Sequence, residues 1–462
     1  MSHTKPVGVF LSDFHIGEDL GGVSRKQGQG YTEPVKGVFV REEFQVLLDR
    51  LKNRYGISAT NRIPYLILLG DIWDLAVQPM DYTSDLSIDF FNGVTLQDYF
   101  EEILYVSGNH DHHLWRMFQA KMCEVDPLNK ACGIAPFPQE IPGILDCSAG
   151  AAALYVNNRK NPAADTFIQG LTGKADIPVH VVYPNLYIRT TNDSGIRSMV
   201  TTHGHLFDPG WNLVTDYLPE TIKELDPAKI NLASLEMLNS PVTEFWNYAL
   251  AQVGNYNFIE KIYDGLLEGR MAAIFDSLAT EGMGDLKNSL QTLYKNQGWS
   301  WDFGADGEKL IVGVILDHYK AIQAGALQKI KTSAIQGALP TPRYDETFLV
   351  QNQSRVVSYI NMSQAVYNRE CQDLGLSSEP FSSLVFGHTH VSLPKTAKGN
   401  PLNFPSAPAP AEKGAPASSI PANSMRVYNT GGWVEIGKDG SPMPLALFSD
   451  GSIDPIGVSA QG

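Results

Sequence analysis

Eight of the 11 histidines in this chain fall within four of five short polar clusters built from His, Asp and Asn. These are Asp13-Phe14-His15, Asp71-Ile72-Trp73-Asp74, Asn109-His110-Asp111-His112-His113, His203-Gly204-His205 and His388-Thr389-His390. Scattered structural histidines would not gather this way. Imidazole nitrogens with carboxylate and amide oxygens, and no close cysteine pair, make a donor set suited to Mn2+, Fe2+/Fe3+ or Zn2+ rather than a thiolate site.

The spacing favours a shared ion. In an extended segment side chains alternate, so Asp13 and His15 project to the same side and both can reach one cation. Asp71 is the best candidate to bridge a second ion, since a carboxylate has an oxygen for each. Two cations about 3.5–4 Å apart would clamp a phosphoryl group and lower the pKa of a bridging water, giving a hydroxide nucleophile near neutral pH.

Each cluster follows an apolar run: Val7-Gly8-Val9-Phe10-Leu11, Tyr65-Leu66-Ile67-Leu68-Leu69, Ile103-Leu104-Tyr105-Val106, Met199-Val200-Thr201-Thr202 and Ser383-Leu384-Val385-Phe386. Such runs read as buried strands, and α/β proteins place their chemistry in loops at the carboxyl ends of strands. Between the first two strands Val40, Phe44, Leu47, Leu48, Leu51 and Tyr55 recur at helical spacing. That strand, helix, strand order implies parallel neighbours joined by a crossover.

The remaining chain divides by pattern. Residues 114–178 lose periodicity and read as an irregular insertion with a short helix after His113. Three strands at 179–183, 186–189 and 199–202, with turns at Pro184-Asn185 and Asn192-Asp193-Ser194-Gly195, read as a meander in a second sheet. Residues 207–380 carry helical stripes, among them Val242, Phe245, Trp246, Ala249 and Val253, then Met271, Ile274, Phe275 and Leu278, then Ile311, Val314, Ile315, His318 and Ile322. His318 reads as a packed core histidine. The flanking clusters must return to one site, so this segment is an excursion, a helical cap. A Pro- and Ala-rich surface loop at 394–424 precedes final strands at 426–430 and 444–448, with a turn at Lys438-Asp439-Gly440. The expected domains are a core of 1–206 with 381–462, and a cap of 207–380.

At 462 residues the chain has room for two domains, or for one domain with large insertions. Its 43% apolar and 18% charged composition is that of a globular protein. A net charge of −15 disfavours nucleic acid as a partner. It leaves an anionic substrate open, because bound metal ions invert the local field. Cys123, Cys132, Cys147 and Cys371 show no CxxC spacing, and no signal segment opens the chain, so a reducing, cytoplasmic setting is expected. No apolar run approaches the ~18 residues that span a bilayer. Membrane contact, if any, would be peripheral and through the cap. The sequence sets no oligomeric state.

Asp13-x-His15, Gly70-Asp71-x-x-Asp74, Gly108-Asn109-His110-Asp111, His203-Gly204 and Gly387-His388-x-His390, in that order and each behind an apolar strand, resemble the five-motif signature of the calcineurin-like metallophosphoesterases. The resemblance covers residues 6–113, 179–206, 383–392 and the tail. It implies a four-layer α/β/β/α sandwich of two mixed sheets and two divalent metal ions. Asp13, His15, Asp71 and His390 would hold one ion, and Asp71, Asn109, His203 and His388 the other. His110 would be the catalytic acid, with Asp74 orienting it by a hydrogen bond.

The substrate implied is a phosphoester, diester or monoester. A cap between His203 and His388 would enclose a small or amphipathic one. One variant of the family that this chain resembles, the UDP-diacylglucosamine pyrophosphohydrolases, also carries a helical insertion and a His-Gly motif; this chain has His110 where that group commonly has Arg, and a longer cap. A non-catalytic metal-binding scaffold of the same fold is the rival reading, although no ligand is missing. His112, His113 and His205 carry no assigned role, lying near substrate or only shaping their loops. Arg116, Arg189 and Arg197 can bind phosphate by their chemistry, with surface placement the default for each.

Overall fold

The computed structural model describes residues 4–17, 37–130, 136–208 and 348–394 apart from short breaks, 229–244 with a few neighbours (211, 212, 215, 247, 248), and 402–405, 424–433 and 442–458. In chain order the described elements are β1 (Gly8–Leu11), α1 (Gly37–Tyr55), β2 (Ile63–Leu69), α2 (Met80–Asn92), β3 (Phe100–Val106), α3 (His112–Ala120), α4 (Asp126–Asn129), β4 (Gly143–Asp146), β5 (Ala153–Val156) and β6 (Arg159–Lys160). There follow α5 (Thr166–Leu171), β7 (Val179–Val182), β8 (Asn185–Asn192), β9 (Gly195–Thr202), α6 (Leu232–Glu244), α7 (Phe348–Gln351), α8 (Gln353–Asp373), β10 (Phe381–Phe386), β11 (Leu402–Pro405), β12 (Ser424–Asn429), β13 (Leu445–Leu447) and β14 (Ile453–Pro455).

The strands make two mixed sheets, so the α/β class expected from the motifs is the one observed. The first runs β14-β13-β1-β2-β3-β7, and the second β11-β12-β10-β9-β8-β4-β5-β6. In the first, β1, β2, β3 and β7 are parallel and β13 pairs antiparallel with β1. The near-continuous apolar runs of β2 and β3 follow from burial on both faces, which parallel strands require. Phe44, Leu47, Leu48 and Leu51 of α1 and Phe90 of α2 pack into the same core as these strands.

Alternation along the second sheet shows how it is covered. Leu186, Ile188, Met199 and Val385 join the core of the first sheet. Their neighbours Tyr187, Val200, Leu384 and Phe386 turn the other way, into a second core with Val356, Tyr359, Ile360 and Tyr367 of α8. Strand side chains point alternately to opposite faces, so the sheet is buried on both. This partition fits a sandwich.

The structure differs from the sequence reading in several places. Residues 114–178, read as irregular, contain three strands that extend the second sheet; at two to four residues each, they are too short to register as a period. β7 is not part of the second sheet: it pairs parallel with β3 and ends the first, while β8 and β9 belong to the second. α8, inside the span assigned to the cap, packs on the second sheet, with Tyr367 and Tyr359 hydroxyls 2.9 and 3.0 Å from those of Ser198 and Thr202. Within the Pro-rich 394–424 span, Leu402–Pro405 is a strand paired with β12. Most of the rest of the 207–380 span read as a cap, including the stripes at 271–278 and 311–322 and His318, lies outside the described residues, as does the 438–440 turn. Among the described residues no helix is long and apolar enough to cross a membrane, and Cys123, Cys147 and Cys371 are free and buried.

Candidate metal centre

The loops after β1, β2, β3, β9 and β10 meet at one point. Loop 1 lies along loop 2, with the Asp13, His15 and Ile16 amides donating to the Gly70, Asp71 and Ile72 carbonyls at 3.0 Å each. Loop 3 is fastened to loop 2 by Asp111, whose carboxylate accepts the Gly108 amide at 2.6 Å and the Ile72 amide at 2.9 Å. Burial, then the nearby Asp71 charge, push the Asp111 carboxyl up to about 6. Gly108 permits the approach: a Cβ there would overlap the Asp71 carboxylate and lie 2.6 Å from the Asp71 backbone nitrogen.

Seven described non-glycine residues have positive φ, and five of them are Asp13, His15, Asp71, His388 and His390, at 49° to 67°. Left-handed backbone is costly for residues with a Cβ and gathers at functional sites. The strained positions here are the ones the motifs singled out.

All nine motif residues are brought together. Asp13, Asp74, Asn109, His203 and His388 have no exposure, and Asp71, His15, His110 and His390 have 1, 2, 5 and 6%. Two groups of donors could each hold an ion, Asp13 with His15 and His390, and Asp71 with His203 and His388. In the first, His15 Nε2 is 3.0 Å from His390 Nε2, and His390 Nε2 is 3.4 Å from Asp13 Oδ1. In the second, His203 Nε2 is 3.0 Å from Asn109 Oδ1, 3.1 Å from Asp71 Oδ2 and 3.2 Å from His388 Nδ1. Asp71 Oδ2 joins the groups, being 3.7 Å from His15 Nε2.

The outward ring atoms fix the tautomers. His203 Nδ1 lies 2.8 Å from the Leu69 carbonyl, which can only accept, so Nδ1 carries the proton and Nε2 faces the cluster. His15 Nδ1 donates to Asp74 Oδ2 at 2.9 Å and likewise aims Nε2 inward. His388 is reversed: Nε2 donates to Asp208 Oδ2 at 2.7 Å, turning Nδ1 inward. Imidazoles held this way by a carboxylate or carbonyl are the usual arrangement around a metal. Electron-pair donors crowd a space whose field calls for positive charge. Burial lowers the His203 imidazole, yet Asp71 and then Asp13 push it up to about 9. Burial likewise opposes ionisation of Asp71, and the His203 and His110 charges outweigh it, holding that carboxyl well below the usual range.

Asp74 Oδ2 also accepts His110 Nδ1 at 2.8 Å, so His15, Asp74 and His110 form a third close group. Burial raises the Asp74 carboxyl, but His110 and His15 bring it below its ordinary value.

The residues without an assigned role now have partners. His112 donates to Glu236 Oε1 at 2.9 Å and pairs with Glu244, both on α6. His113 donates to Glu244 Oε2 at 2.8 Å and stacks on Tyr248. His205 is buried with Nε2 3.3 Å from the Tyr183 hydroxyl, which donates to Glu236 at 2.7 Å. Arg116 bonds Gln119 and Ser240. Arg189 bonds Asp146, Ser148 and Ser377, and Arg197 is exposed near the start of β9. Asp208, Glu236 and Glu244 were missed, because nothing in their local spacing separates them from ordinary polar positions.

Comparison of the chain with protein-family models, with curated proteins and with solved structures finds no match in any of the three.

Proposed function

We propose that this chain is a metal-dependent phosphoesterase of the calcineurin-like kind, acting on a phosphodiester or phosphomonoester. The observation that carries the reading is Asp71 Oδ2, 3.1 Å from His203 Nε2 and 3.7 Å from His15 Nε2, a single carboxylate oxygen shared by two buried donor groups. Asp13, His15, Asp71 and His390 would hold one divalent cation, and Asp71, Asn109, His203 and His388 a second. The donor set fits Mn2+, Fe or Zn2+. Such a pair neutralises phosphoryl charge and activates water near neutral pH.

The chain's own groups do the rest. His110 is held by Asp74 through Nδ1, which leaves Nε2 as the ring atom to pass a proton to the leaving oxygen. Burial of the nine residues excludes bulk water and strengthens every charge interaction among them. His110 and His390 retain the most exposure, which marks the edge where substrate enters. α6, fixed to His112 and His113 beside that edge, supports a small or amphipathic substrate over a long polymer.

The test is hydrolysis of bis-p-nitrophenyl phosphate by the full chain with added Mn2+, beside Asp71→Ala. Metal-dependent turnover in the wild type, lost in the variant, is expected. A wild type that binds Mn2+ without turnover would leave a scaffold, and the enzymatic reading would be abandoned.

A further inference from the structure

Three described histidines of the centre present Nε2 to their neighbours, and His388 alone presents Nδ1. What reverses it is Asp208, buried at 2% exposure, whose Oδ2 accepts a hydrogen bond from His388 Nε2 at 2.7 Å. Asp208 belongs to none of the five motifs. It lies just past the His205–Phe207 turn, at the root of the excursion.

The root is itself braced. The Asp208 amide donates to the His205 carbonyl at 3.0 Å, and the Asp208 carbonyl accepts the Asn212 side-chain amide at 2.9 Å. Asn212 also donates to the Leu206 carbonyl at 2.8 Å, and its Oδ1 accepts Asn239 of α6 at 3.3 Å. A short, buried carboxylate on a doubly tethered backbone is a rigid stop for the ring it holds.

We propose that Asp208 is a positioning residue for the second cation: it fixes His388 with Nδ1 inward, so the excursion supplies part of that ion's outer shell. The inference rests on the two-cation reading above. A charged acceptor does more than orient the ring, because sharing the Nε2 proton makes the opposite nitrogen a stronger donor. Its loss therefore acts first on the ion that His388 would hold, because the bond it removes is the one to that ring.

The experiment is titration calorimetry of Mn2+ into the metal-stripped full chain, with electron paramagnetic resonance of the loaded protein. Wild type, Asp208→Asn and Asp208→Ala are compared. Asp208→Asn keeps the shape and removes the charge, and thermal melting shows which variants fold. Wild type should bind two ions with a spin-coupled spectrum; one that binds none would fail the two-cation reading itself, not this step. In the variants one ion should bind about 10- to 100-fold more weakly while the other keeps its affinity. At limiting Mn2+ the coupled spectrum should give way to that of an isolated ion. Should Asp208→Ala not fold, Asp208→Asn alone decides. Two ions bound with wild-type affinity in a folded variant, or both weakened equally, would overturn the proposal.

Discussion

His110 and Asp74 are joined by a 2.8 Å hydrogen bond from His110 Nδ1 to Asp74 Oδ2, and neither residue has more than 5% of its surface exposed. The same oxygen receives His15 Nδ1 at 2.9 Å. Asp74 thus serves two rings, that of His15, which also meets His390, and that of His110. Its other oxygen is taken by the Ala76 amide at 3.0 Å, which keeps the carboxylate from rotating.

That double duty separates two variants. His110→Gln should leave Mn2+ affinity unchanged and lower turnover about 100- to 10,000-fold, the range for a lost proton-transfer group. Asp74→Ala should lower turnover and also weaken one ion by about tenfold or more, because His15 loses its orienting partner. Calorimetry alongside kinetics distinguishes them. Equal Mn2+ affinity in both variants would show that Asp74 does not support His15.

Gly108→Ala tests the packing of the loops. The added methyl meets the Asp71 carboxylate, and the Asp71 backbone nitrogen at 2.6 Å cannot swing aside as a side-chain end could. Displacing Asp71 disturbs both donor groups, so both Mn2+ ions should bind more weakly and melting should fall by several degrees. Gly56→Ala is the control: it also has positive φ, at 67°, but a Cβ there meets nothing within 4 Å. It should lower melting slightly and leave Mn2+ binding intact.

Cations that bind only the folded chain stabilise it by mass action, about 2.7 kcal/mol at a hundred times the dissociation constant for one site. Differential scanning calorimetry should show melting rising with Mn2+ and falling back with a chelator. Asp71→Ala should melt at one temperature with or without Mn2+. A Mn2+ response in that variant as large as in the wild type would mean the cations bind elsewhere.

What could be read from the sequence and what could not divide along a physical line. The strands that deliver the motif residues are buried at their carboxyl ends, so Ile67-Leu68-Leu69 and Leu104-Tyr105-Val106 had to be continuous apolar runs, legible with no partner in view. The motif residues follow those runs directly. β4, β5 and β6 are short, with two of four β5 positions only half-buried and β6 exposed, so neither length nor period announces them. Asp208, Glu236 and Glu244 act through partners 180, 124 and 132 residues away, and no local pattern encodes a contact of that range. Asp111 stood inside a recognised motif, yet its role in tying loop 3 to the Ile72 amide shows only in three dimensions.

The α6 contact carries its own pH signature. Burial lowers the His112 imidazole, but Glu236 and Glu244 push it up to about 9, against an ordinary value of 6.5. Burial raises Glu244, and His112 with His113 bring it down to about 2 from 4.5. A histidine raised on folding stabilises fully below its unfolded value and loses that stabilisation as pH climbs through the folded one. The carboxylate contributes above its own unfolded value and fails only as pH falls through about 2. The contact is therefore firmest between about pH 4.5 and 6.5 and weakens toward pH 9. The rise at His112 corresponds to about 3 kcal/mol at most. Hydrogen exchange of the Leu232–Glu244 amides, corrected for intrinsic rates, should quicken from pH 6 to pH 9.5 more than that of Ile63–Leu69. His113, stacked on Tyr248 and bonded to Glu244, and Tyr183, bonded to Glu236, keep partial hold when His112 loses its proton. His112→Gln should show faster α6 exchange at pH 6 and little further change by pH 9.5. A variant whose α6 exchange rises with pH as steeply as the wild type would locate the sensitivity in another group.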